Sequence, residues 1–73
     1  MIILNMAQNQ EQVIELLENY NGEDFTYKFE GKQGIQLKFS VTGDPELAGK
    51  KAKNLIKSQP WGTVLYFNVM VGQ

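Results

Sequence analysis

Two stretches of this chain, DFTYKFE at residues 24–30 and IQLKFSVT at residues 35–42, alternate polar and apolar residues without a break. Phe25, Tyr27 and Phe29 fall on one face of the first, with Thr26, Lys28 and Glu30 on the other. Ile35, Leu37, Phe39 and Val41 oppose Gln36, Lys38, Ser40 and Thr42 in the second. A period of two is the signature of a strand with one buried face, because successive side chains leave a pleated backbone on opposite sides. The short GKQG segment between them, with glycine at each end, makes the pair a β-hairpin. An exposed polar face and a buried apolar face on two adjacent strands require something to cover the apolar side.

Two helices are available for that. In the first, Asn5 or Asn9 is the candidate N-cap, and Asn9 with Gln12 has the spacing of a capping box, which would satisfy free amides at the helix start. Val13, Leu16, Leu17 and Tyr20 then share one side, Ile14 lies at its edge, and Glu11, Glu15 and Glu18 lie opposite. Asn21-Gly22 is the expected stop, since both residues tolerate a left-handed cap. The second helix has Asp44 as N-cap, Pro45 at its first position and Glu46 in its first turn. Its buried stripe is Ala48, Ala52, Leu55 and Ile56, flanked by Leu47. Lys50, Lys53 and Lys57 lie opposite, and Lys51 sits at the margin. Gly49 costs about 1 kcal/mol of helix stability relative to alanine, which implies close approach to a neighbouring backbone. Pro60 ends the helix near Ser58, and Trp61 is placed to cap the end of the core.

Residues 1–6, MIILNM, read as a short first strand, and residues 61–73, WGTVLYFNVMVGQ, as a last one. The expected order is β-α-β-β-α-β in a single α+β domain covering residues 1–73, or α-β-β-α-β if the N-terminal run stays out of the sheet. This order resembles the ferredoxin-like arrangement, in which both helices lie on one face of an antiparallel sheet. That resemblance implies a pairing of the last strand with the first. The 73-residue length is near the lower limit for one self-sufficient core.

Composition narrows the chemistry. There is no Cys and no His, so disulfides, thiolate metal sites and the commonest general base are all missing. Neither Ser40 nor Ser58 has a histidine to activate it, and no enzymatic constellation is legible. Glu11, Glu15 and Glu18 on an exposed helix face cannot converge on a cation, so no metal or other cofactor is expected. The GKQG segment lacks the spacing and the strand-to-helix context of a Walker loop, and it joins strands where a KH domain's GXXG joins helices. Apolar runs are too short to span a bilayer, and MIILNMAQNQ lacks the basic start of a secretory signal, which leaves a soluble cytoplasmic chain as the default expectation.

Charge is uneven within a net −1: residues 1–30 carry six acids and one lysine, residues 31–73 six lysines and two acids. Two helices side by side would set an acidic face beside a basic one. With no arginine in the chain and an acidic balance, nucleic acid is disfavoured as a partner.

The last strand raises the functional question, because no charge follows Lys57 and both faces of TVLYFNVMV are apolar. Leu65, Phe67, Val69 and Val71 are expected to face the helices, which leaves Val64, Tyr66, Asn68 and Met70 on the open sheet face. Lys28, Lys38 and the other outward hairpin residues share that face, and Met1 or Ile3 would extend its apolar half. An apolar patch of this kind on a small domain marks a partner, a ligand or a second copy. The candidate interface is therefore Val64, Tyr66 and Met70, with Lys38 beside them. The leading expectation is a non-enzymatic protein-interaction module, as a homodimer or with an unlike protein. A regulatory small-molecule domain with its site at a dimer interface is the alternative, on fold analogy alone. A single-strand nucleic-acid binder stacking bases on Tyr66 beside Lys28 and Lys38 comes last.

Overall fold

The N-terminal run does join the sheet. In the computed structural model, which describes residues 1–72, the elements are β1 (Ile2–Asn5), α1 (Gln10–Glu18), β2 (Tyr27–Gln33), β3 (Gln36–Val41), α2 (Pro45–Lys57) and β4 (Asn68–Val71). The sheet order is β2-β3-β1-β4, with every neighbouring pair antiparallel. This is the ferredoxin-like arrangement, a split pair of βαβ units. β2 and β4 are its two edges.

One face of the sheet carries the core. Ile2, Leu4, Tyr27, Leu37 and Phe39 from the strands meet Val13 and Leu17 of α1 and Ala48, Ala52 and Ile56 of α2 in a single buried cluster. Each large side chain so buried contributes about 1.5–3 kcal/mol relative to exposure. Phe29 and Phe39, directly opposite across β2 and β3, tilt at 58° with centroids 5.5 Å apart. Tyr27 is buried among these residues, and its hydroxyl donates a 2.7 Å hydrogen bond to the Ala48 carbonyl of α2. Trp61 lies half-buried against the cluster, as its position after α2 suggested.

The hairpin differs in detail from its reading in the sequence. Glu30 is an extra residue in β2, a bulge between the Phe29–Phe39 and Gly31–Lys38 pairs. That shift draws Gly31, Lys32 and Gln33 into the strand and leaves a two-residue turn at Gly34–Ile35. Gly34 has φ of +60° while Ile35 does not, the pattern of a hairpin turn with glycine at its first central position. Ile35 is thereby removed from the core row and is 54 % exposed. At the other end, β2 begins only at Tyr27, and Phe25 packs on the core from the preceding loop.

Both ends of α1 also depart from expectation. Asn9 is the N-cap residue, but it sits in the left-handed region at φ 60° and makes no side-chain cap bond. Its amide instead donates to the Gln12 side-chain oxygen, so the capping box does not form. The helix stops at Glu18 with Asn19 in a right-handed conformation, before Asn21-Gly22 is reached. Asp24 organises the turn that follows, accepting from the Tyr20 hydroxyl at 2.6 Å and the Phe25 amide at 3.0 Å. The Tyr20 hydrogen bond holds the Asp24 carboxyl below its ordinary range.

α2 follows its sequence signals closely. The Asp44 side chain accepts from the Glu46 amide at 2.9 Å, with Pro45 at the first helical position and Ser58 at the C-cap. Gly49 does mark a close approach, but to side chains. A Cβ there would stand 3.0 Å from a Val69 methyl and 3.8 Å from one of Ile2. The glycine pressed against backbone is Gly62, where a Cβ would fall 1.9 Å from the Ile56 carbonyl oxygen.

Candidate functional site

The sheet face away from the helices is built in rows set by strand register. Lys38 of β3 is opposite Ile3 of β1, and Ile3 is opposite Met70 of β4. Lys38, Ile3 and Met70 therefore form one continuous line across three strands, with Met70 at the sheet edge and 43 % exposed. The next row is polar: Gln36, Asn5 and Asn68, the last two joined by a 2.7 Å amide-to-carbonyl side-chain bond. Nearer the outer edge of β2, the Ser40 hydroxyl donates to the Glu30 carboxylate at 2.6 Å. The greasy half of this face thus reduces to Met1, Ile3 and Met70.

Val64 and Tyr66 do not lie on that face. β4 begins at Asn68, and residues 58–64 form a series of turns after α2. The reason lies in the partner strand. Continuing the β1–β4 register backwards would place Tyr66 opposite Ala7 and Val64 opposite Asn9, where the chain has already left the sheet for α1. Met6, the last residue that could pair, gives its amide to the Ile35 carbonyl on the β3 side. Residues 64–67 instead form an irregular arm. Leu65 is buried in the core, and Val64 and Tyr66 point outward at 79 % and 98 % exposure. Lys57 fastens this arm: its ammonium donates to the Leu65 carbonyl at 2.5 Å and sits 5.3 Å from the Phe67 ring centre. Lys57 is therefore a structural tether and does not belong to the solvated lysine face of α2.

Of the four candidate residues, the structure brings Lys38 and Met70 into one row and sets Val64 and Tyr66 apart on the arm. It also adds two features that the alternation did not reveal. The first is Val71, 48 % exposed at the sheet edge. The second is a groove of about 380 Å³ between α2 and β4, lined by Glu46, Gly49, Lys50, Lys53, Phe67 and Val69, among others. A larger, open groove of about 480 Å³ lies elsewhere, between α1 and the Gln59–Trp61 turn.

The backbone of β4 can be assigned from its neighbours. The Gly72 amide donates to the Met1 carbonyl at 2.9 Å, and bonding in an antiparallel ladder alternates residue by residue. Met70 and Asn68 then bond to β1, whereas the N–H and C=O groups of Val69 and Val71 point away from the sheet. The Met6-to-Ile35 bond fixes the opposite alternation on the β3 side of β1, in agreement. The site is thus a free strand edge with two donors, two acceptors and no charged side chain.

Among the described residues, no helix is long and apolar enough to cross a membrane, and no three acidic side chains converge as a metal site would need. No protein-family model, curated protein or solved structure matches the chain.

Proposed function

We propose that this chain is a small, non-enzymatic protein-interaction module that works through β4 and the arm leading into it. One observation carries this reading. Four of the seven exposed large apolar residues among those described, Val64, Tyr66, Met70 and Val71, fall within eight consecutive positions, two on the arm and two in the edge strand β4 that it leads into. Apolar side chains gathered beside unpaired backbone groups are the ingredients of strand addition, where main-chain bonds supply affinity and alternate side chains supply selectivity. Tyr66 adds a large aromatic surface with few rotatable bonds, a type of residue enriched at binding hot spots.

The test is a selection of displayed peptides against the immobilised chain, followed by amide chemical-shift mapping of the enriched sequences. Shifts concentrated in residues 64–71, and binding lost on Met70→Lys, are the expected result. Shifts centred on α1 or the β2 edge, or a selection that enriches nothing on a chain that is itself monomeric, would refute the reading.

A further inference from the structure

The partner that the geometry points to is a second copy of this chain. We infer that two copies pair β4 with β4, antiparallel about a twofold axis at Met70, to form one continuous eight-stranded sheet. This rests on the reading of β4 as an interaction surface and names its occupant.

The two sheet edges are treated differently. β2 carries Lys28, Glu30 and Lys32 and is distorted by the Glu30 bulge, devices that discourage edge-to-edge pairing. β4, with the sequence NVMV, has neither charge nor bulge. With the axis at Met70, the outward groups of Val69 meet those of Val71 in the other copy, and the reverse. Each such pair exchanges two backbone hydrogen bonds, and both pairs arise from the same residues, as a twofold interface requires.

Side chains match on both faces. On the open face Met70 meets its own copy across the axis with Ile3 behind it, so the row runs Lys38–Ile3–Met70–Met70–Ile3–Lys38, apolar within and charged only at its ends. On the other face Val71 of one copy comes beside Val69 of the other, at the mouth of the groove between α2 and β4.

The charges of α2 supply the argument for self-pairing. Its residues along the groove are Glu46, Gly49, Lys50 and Lys53, spaced as one helix stripe, with Gly49 standing over Val69 close to the axis. The twofold sets the two α2 helices antiparallel. Glu46 of each then faces Lys53 of the other, and each Lys50 lies opposite the gap left by Gly49. The stripe is complementary to its own inverted copy.

Sedimentation equilibrium from micromolar to millimolar chain tests this, with circular dichroism confirming that each variant is folded. The wild type is expected to pass from monomer to dimer. Val71→Pro removes two of the four interstrand bonds and should raise the dissociation constant about tenfold or more. Met70→Lys, which sets like charges at the axis and leaves every backbone donor in place, should weaken the dimer comparably. Glu46→Lys and Lys53→Glu should each weaken it, and the double exchange should restore it. A wild type that stays monomeric throughout would overturn the dimer, and selected peptides mapping to residues 64–71 would then leave the interaction reading standing without it. A dimer indifferent to Val71→Pro and Met70→Lys would place self-association elsewhere and overturn the pairing. A double exchange that fails to restore association would overturn the axis at Met70.

Discussion

Tyr27 ties the sheet to α2 through a single buried hydroxyl. Burial, with Tyr20 and Asp24 nearby, pushes its pKa up from the ordinary 10.0 to about 12. Below the unfolded value both states hold the proton, and the stabilisation is fully present. As pH rises between the two values the unfolded chain releases the proton while the folded chain keeps it, so stability falls, and the contribution is lost above the folded pKa. Urea unfolding of the wild type and Tyr27→Phe should differ by about 1 kcal/mol near neutral pH, the worth of the hydrogen bond. That gap should close as pH approaches about 11, because the phenylalanine variant lacks this titration. A gap that stays constant into the alkaline range would show that Tyr27 ionises as freely folded as unfolded. Residue-scale features of this kind were only half legible. The alternation in DFTYKFE put Tyr27 on the core face, but the hydroxyl's partner on α2 depends on packing between elements far apart in sequence.

At the level of elements, the ends of the two helices separate local from non-local control. Asp44-Pro45-Glu46 is a local signal, and the cap it specifies forms. Asn9 and Gln12 had an equally good local pattern, yet the chain leaves β1 through a tight turn that needs a left-handed residue there, and Asn9 supplies it. Asp44→Ala should therefore cost about 1 kcal/mol by removing a working cap. Asn9→Gly should be neutral or mildly stabilising, and Asn9→Ala should cost about 1–2 kcal/mol for its conformation. Denaturation midpoints of the three variants check this. Equal losses from Asn9→Gly and Asn9→Ala would mean that the side chain, and not the backbone, is what Asn9 contributes. The last strand gives the same lesson for the candidate site. Alternation correctly placed Lys38 and Met70 on the open face, since phase within a strand is local. It extended the strand back through Tyr66 and Val64, because where a strand stops is decided by its partner, and β1 is only four residues long.

The whole molecule is a sheet with one guarded edge, β2, and one bare edge, β4. The order of elements was readable because two helices and a hairpin, each with its own periodicity, allow few arrangements in a chain of this length. The edge chemistry was not readable until the strand order was known. The most direct measurement is amide hydrogen exchange at Val69 and Val71, residue by residue, over a range of chain concentrations. Both amides point out of the sheet and should exchange fast in dilute solution, then become protected together as concentration rises, while Met70, bonded to β1, changes much less. Val69 and Val71 amides that exchange at one unchanging rate while the chain associates would contradict the pairing of β4 with itself.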